Sequence, residues 1–501
     1  MPKTHRRIGT PQSLNAYIKN VCDIMRRSGR AGALQYVPEL TWMLFLRILD
    51  EREARDAEQA QAVGAEFRPS LEYPYRWQDW AFRNGEKRIE LQLGTLGGFI
   101  SFVNGELIPH LKHMKGRSGA TARQKVISEV FSSVERTGID TERNLLDILD
   151  KIDELLLEQV DETHMFTLSQ VYEGLLQQMG EKNNDGGQFF TPREVIRVMV
   201  RVISPQIGET VYDPCCGTGG FLAQAYQHMI AHAESGSDIE LLKTRTFYGR
   251  EKEGLVYPIA LANLVLQEID EPHIWHGNTL TGLEVYGGLF QEAPALFDIV
   301  LTNPPFGGKE GKDAQTRFAY KTSATQVLFL QHVIDSLKPG GRCGIVMDEG
   351  VLFRTNETAF VRTKRKLLNE CNLWCIVSLP PKVFVNAGAA SKTNLLFFTK
   401  GEPTEEIWYY DLSDLNITKK QPLTIGHFDD FFTLLPERAP GERSWRIPID
   451  ELEARNYDLK AVNPNRKERA DNRTPEALLA LIEAQEVEIT QSLAMLRSKG
   501  V

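Results

Sequence analysis

"VYDPCCGTGGFL" at residues 211–222 joins a short β-rich run to the start of a helix through a turn with three closely spaced glycines. A plain strand-to-helix turn needs one glycine. Gly217, Gly219 and Gly220, with Thr218 among them, let the backbone approach a ligand with no Cβ in the way. The spacing is neither G-x-G-x-x-G nor a loop closing in Gly-Lys-Ser/Thr, so the familiar dinucleotide and triphosphate cradles do not fit. The run ends in Asp213, a carboxylate at the carboxyl end of a strand, where open α/β sheets take their ligands.

The same grammar extends over about 185–400. Strands are predicted near "ETVYDP", "RTFYGRE", "PHIWHGN", "LFDIVLTN", "RCGIVMDE", "LWCIVSLP" and "NLLFFTK", with helical segments such as "KEGLVYPIALANLVLQEI" between them. The alternation predicts an α/β fold with a mostly parallel sheet covered by helices, and "KPGG" at 338–341 punctuates the end of one of them. The second strand ends in Glu251, placed to accept bonds from ribose hydroxyls, and the third in Asn278, placed for an adenine edge. Three successive strand ends thus describe a nucleoside pocket. Its acidic lining, without a phosphate cradle, favours S-adenosylmethionine over NAD or ATP.

The fourth chemical feature is "NPPFGG" at 303–308. Neither proline has an N–H to give to a sheet ladder, so the chain leaves its strand in a fixed extended shape. That shape holds the Asn303 amide and several carbonyls at the strand's carboxyl end.

Composition bounds the rest. At 501 residues two or three domains are expected, and 42% hydrophobic with 25% charged residues fits a soluble globular chain. No apolar run approaches the ~18 residues of a membrane span, and the basic "MPKTHRRIGT" is followed by no signal-like apolar stretch, so the expected location is cytoplasmic. The six cysteines include no C-x-x-C pair and read as reduced, with Cys215 and Cys216 as small fillers of the turn. His228 and His232, and the pairs His110/His113 and His273/His276, lack a third ligand and read as structural. The net charge of −9 repels a polyanion, so a nucleic acid would need a local basic face or a partner. The run "RTKRK" at 362–366 reads as a solvated helix face, with contact to DNA phosphate as the alternative.

Residues 11–165 carry apolar positions at helical spacing, interrupted by the aromatic segment 72–88, which reads as a small core cluster with base stacking as the alternative. "PERAPGERSWR" at 436–446 reads as a linker. A last helix from Thr474 carries a stripe of Leu478, Ile482, Ile489, Leu493 and Leu496 suited to a partner helix or to the N-terminal bundle.

"DPCCGTGGFL" and "NPPFGG", together with "GQFFTPREV" at 187–195, resemble the amino-methylating DNA methyltransferases. The order of these motifs is similar to the adenine-N6 subgroup, and both chain ends resemble the modification subunit of type I restriction–modification systems. The resemblance implies a Rossmann-like S-adenosylmethionine-dependent methyltransferase domain at 166–435, between an N-terminal helical domain at 1–165 and a linker with a partner-docking helix at 436–501. It implies that Gln188, Phe189, Phe190, Thr191, Pro192 and Arg193 fold over the methyl donor. The Asn303 oxygen and Pro304 carbonyl would accept the two N–H bonds of the adenine amine, held rigidly by Pro304 and Pro305. Phe306 would stack on the base, flipped out of the duplex. Such methyl transfer calls for no metal. Implied partners are DNA, a separate specificity subunit joined by two copies of this chain, and a restriction subunit. Alternatives are a self-sufficient type II-like enzyme reading DNA with residues 1–165, a protein-glutamine methyltransferase, and a scaffold with a dead site. Phe306 and "GQFFTP" count against the protein-glutamine reading, and intact Asn303, Pro304, Asp213 and Glu251 against the scaffold.

Overall fold

The computed structural model describes residues 11–28, 33–153, 191–384, 392–418 and 421–465, with isolated helical positions at 479, 483 and 486. The N-terminal part is helical as expected. Helix Glu142–Asp153 buries Leu145, Ile148, Leu149 and Ile152, an i, i+3, i+4, i+7 stripe, and packs on helix Pro11–Arg27, where the Tyr17 hydroxyl donates to the Lys151 carbonyl. Helix Ala122–Val130 opens on a reciprocal Thr121–Gln124 capping box, which satisfies two otherwise orphan N–H groups. The tryptophans of the aromatic segment are core, whereas Tyr73 and Phe82 are exposed. Trp77 and Trp80 are buried, Trp42 stacks on Trp80, and the Trp77 indole N–H donates to Asp153.

Ten strands form one sheet: β1 Val211–Asp213, β2 Phe247–Glu251, β3 His273–Asn278, β4 Leu283–Tyr286, β5 Phe297–Thr302, β6 Leu337–Asp348, β7 Cys371–Ser378, β8 Thr393–Lys400, β9 Glu406–Asp411 and β10 Ser444–Pro448. Their order is β10-β9-β7-β8-β6-β5-β1-β2-β3-β4. The run β3-β2-β1-β5-β6 is parallel, whereas β8 lies antiparallel between β6 and β7. All seven expected strands are present. The order reverses at β1, flanked by β2 and β5, and such a switch point opens a crevice at the carboxyl edge.

Three local expectations change. Residues 444–448, expected in a linker, form β10 against β9, where Trp445 and Ile447 join the core and Arg446 pairs with Glu406 at 2.7 Å. Alternate burial over so short a run is hard to see between proline and glycine. Helix Thr325–Ser336 ends before "KPGG", yet those residues belong to β6, with Gly340 at φ +80°. The 362–366 run is not a solvated face throughout: the Lys364 ammonium is buried and donates to the carbonyls of Leu352 and Arg354 at 2.7 and 3.0 Å, and burial lowers it to about 8.

The helical region packs on helix Tyr257–Leu266. Arg52 donates to the Val265 carbonyl at 2.6 Å and pairs with Asp270 at 3.4 Å, and Arg123 reaches the same carboxylate at 3.7 Å. Both regions contribute to one hydrophobic cluster. The terminal helix stripe lies outside the described residues; of this segment, positions 479, 483 and 486 are helical and exposed. Among the described residues no helix is long and apolar enough to cross a membrane.

Candidate active site

The crevice beside β1 holds a cavity of about 370 Å³. Asp213, Gly217, Thr218, Gly220, Glu251 and Asn278 line it, as do Thr191, Arg193, Asn303 and Pro305. The glycine turn, three strand ends and the proline loop therefore meet in one place. Pro192, Gly219, Pro304 and Phe306 stand behind or beside that lining; Gln188, Phe189 and Phe190 lie outside the described residues.

The turn is built by backbone conformation. Gly217 and Gly219 sit at φ +54° and +80°, the left-handed region, and a Cβ on Gly219 would meet the Leu264 side chain at 3.2 Å. Helix Gly220–Ile230 starts directly behind. Asp213 is buried at the end of β1, its Oδ1 accepting from the Thr302 hydroxyl at 2.7 Å and the Cys215 N–H at 3.1 Å. Thr302 closes β5, so this bond ties the two strand edges together. Burial pushes the Asp213 carboxyl up to about 7, against the lowering pull of both bonds.

Glu251 is also pushed up to about 7 by burial, opposed by backbone hydrogen bonds. Its Oε2 accepts the Gly217 N–H at 2.9 Å, and its Oε1 the N–H groups of Lys252 and Glu253 at 2.8 and 2.7 Å. The carboxylate thus holds the glycine turn while facing the cavity. Asn278 is partly committed: its Oδ1 accepts the N–H groups of Leu280 and Thr281, leaving its amide N–H₂ for a ligand edge.

At the proline loop, Asn303 Nδ2 donates to Thr191 Oγ1 at 3.0 Å. That bond joins "NPPF" to the end of "GQFFT". Asn303 Oδ1 is shielded from solvent and has no hydrogen-bond partner among the described residues. A buried amide oxygen left unpaired is costly unless a donor arrives during function. The Pro304 carbonyl accepts from Gln326 Nε2 at 3.2 Å, which occupies one of its two lone pairs. Phe306 meets Phe384 edge-on, with ring centroids 5.4 Å apart.

Sequence reasoning missed Thr302, Gln326, Phe329 and Phe384. Phe329 lines the cavity from helix Thr325–Ser336, where it looks like any other apolar helix position. Burial holds the Cys215 and Cys216 thiols well above the ordinary range, as expected of fillers rather than nucleophiles. The histidines are engaged elsewhere: His110 stacks on Tyr75, His276 on Tyr257, and His273 bonds two backbone carbonyls. Among the described residues no three metal-ligating side chains gather.

Comparison with known proteins gives this constellation a family. The N-6 DNA Methylase family matches residues 163–473, and the HsdM N-terminal domain matches residues 14–152. The type I restriction enzyme EcoEI methylase subunit of Escherichia coli is 33% identical over 505 residues, 97% of each chain. The StySPI methylase subunit of Salmonella potsdam is 30% identical over 88% of this chain and 80% of its own. A chain solved in a study of complex assembly and conformational transition of the type I R-M system superposes with a TM-score of 0.75 at 36% identity, covering 97% of this chain and 98% of its own. The chain belongs to the N-6 DNA methylase family, as a type I restriction–modification methylase subunit.

Proposed function

We propose that this N6-adenine DNA methyltransferase binds its methyl donor across the carboxyl ends of β1, β2 and β3, and offers Asn303 and Pro304 to the amine of a flipped-out adenine. The unpartnered, solvent-shielded Asn303 Oδ1 carries the reading. S-adenosylmethionine supplies a methyl group on a positively charged sulfonium. Two buried carboxyls with no basic residue bonded to them among the described residues suit such a cation, and the left-handed glycine turn leaves room for it. Glu251 faces the ribose hydroxyls, the Asn278 amide the adenine edge, and Phe329 the ring plane.

The target amine is a poor nucleophile, because its lone pair is delocalised into the ring. Acceptance of its two N–H bonds by Asn303 Oδ1 and the Pro304 carbonyl pulls the nitrogen toward tetrahedral geometry and aims its lone pair at the methyl group. Phe306 stacks on the flipped base, and Phe384 braces Phe306. Glu251→Gln should weaken donor binding at least ~10-fold by titration calorimetry, since the amide is uncharged and its N–H₂ must face a backbone N–H that the carboxylate accepted, which also loosens the glycine turn. An unchanged dissociation constant would remove Glu251 from the donor site.

Recognition of the DNA site is delegated to a separate specificity subunit, with two copies of this chain on one such subunit and a restriction subunit completing the complex. The net charge of −9 and the burial of Lys364 within the basic helical run 362–366 support delegation. Sequencing for N6-methyladenine should find methylation only where chain and specificity subunit are expressed together, at a split two-part site. Methylation by the chain alone would move recognition into residues 1–165.

A further inference from the structure

We propose that Gln326 is a positioning residue for methyl transfer, acting through the Pro304 carbonyl. The inference rests on the reading above that this carbonyl accepts the target amine. Gln326 is 4% exposed, in the first turn of helix Thr325–Ser336. Its Nε2 donates to the Pro304 carbonyl at 3.2 Å, and its Oε1 accepts the Asp348 N–H at 2.9 Å at the carboxyl end of β6. One side chain therefore bridges the loop after β5 to the neighbouring strand end. Its neighbour Thr325 clamps the other end of the loop, through its N–H to the Gly308 carbonyl at 3.2 Å and its hydroxyl to Glu310 at 3.0 Å.

An apolar side chain of similar size would pack this helix on the sheet equally well. The amide adds direction. The proline ring fixes φ of Pro304, but the carbonyl still turns with ψ, and no N–H of Pro304 or Pro305 anchors the segment to a ladder. Gln326 engages one lone pair of the carbonyl and leaves the second for another donor. Its direction then converges with Asn303 Oδ1 on one nitrogen. Gln326 does not line the cavity, so its effect falls on the acceptor loop rather than on the donor.

The test uses the complex that methylates DNA, with turnover measured at saturating donor. Gln326→Ala should lower turnover by ~10- to 10²-fold, the scale of a misplaced reacting group, with donor affinity within about twofold of wild type. Gln326→Glu is the discriminating variant. Its protonated carboxyl reproduces both bonds, O–H to the Pro304 carbonyl and C=O to the Asp348 N–H; its ionised form sets a carboxylate against a carbonyl oxygen. Turnover of that variant, divided by the wild-type turnover at the same pH and at saturating donor, should approach one at acid pH and fall as pH rises, a limb added to whatever Asp213 and Glu251 impose on both proteins. The carboxylates on the adjoining turns are already engaged, Asp348 by the Gly350 N–H and Glu310 by the Thr325 hydroxyl. A merely structural glutamine would change thermal stability without adding a pH-dependent limb. Wild-type turnover in Gln326→Ala, or a Gln326→Glu profile parallel to wild type, would overturn the inference. If the wild-type complex itself fails to methylate adenine, the proposed function falls instead.

Discussion

Asn303→Ala should lower methylation turnover by at least ~10²-fold, the scale of losing one acceptor that acts in the transition state, while S-adenosylmethionine binds with nearly unchanged affinity. The expectation follows from how the amide is held. Its Nδ2 is committed to Thr191 Oγ1, so the side chain cannot rotate freely, and its Oδ1 is shielded from solvent with no partner among the described residues. Truncation removes the acceptor and frees Thr191, but leaves Asp213, Glu251 and the glycine turn untouched. Single-turnover kinetics at saturating donor and DNA, paired with calorimetric titration of the donor, separate the two effects. Turnover within a few-fold of wild type would mean that Asn303 does not engage the amine. A parallel loss of donor affinity would make it part of the donor site instead.

The residues legible in the sequence share one property: their chemistry is declared locally. Gly217 and Gly219 are required by a turn whose left-handed φ angles only glycine takes easily, and Asp213, Glu251 and Asn278 each end a recognisable strand. Asn303 announces itself because the two prolines after it cannot extend a ladder. The residues that escaped are defined by what lies across the fold. Gln326 sits in "TQVLFLQH", a helix indistinguishable from core packing, and gains its meaning only from Pro304 and Asp348 beside it. Phe384 becomes relevant through its contact with Phe306, and Thr302 through its bond to Asp213. Lys364 misled in the opposite sense. Within "RTKRK" it looks solvated, yet it caps the carbonyls that end the short helix Glu349–Phe353. Strand β10 was hidden for a related reason, since pairing with β9 rather than intrinsic preference makes its five residues a strand.

Asp213→Asn should separate donor binding from stability, moving the two in opposite directions. In the folded chain the Asp213 carboxyl titrates near 7 instead of its ordinary 3.8, because burial disfavours the charge. The folded state therefore holds a proton that the unfolded state releases between about pH 4 and pH 7, and stability falls as pH rises through that window. Glu251, raised from 4.5 to about 7, adds the same slope. Asparagine cannot ionise, yet its Oδ1 can keep both bonds, to the Thr302 hydroxyl and the Cys215 N–H. At pH 8 the ligand-free variant should melt a few degrees above wild type, and near pH 4 the two should converge. Donor affinity should move the other way, at least ~10-fold weaker at pH 8, because a buried anion facing a cation has become neutral. For wild type the same titration predicts tighter donor binding as pH rises through 7, a limb that Asp213→Asn should flatten but not abolish while Glu251 remains. Equal melting at pH 8 would show that burial does not penalise the ionised carboxyl; equal affinity would place the donor's positive charge away from β1. If both shifts occur together, the energy that destabilises the empty site is what the bound cation recovers, and the site is built for that charge rather than for the fold.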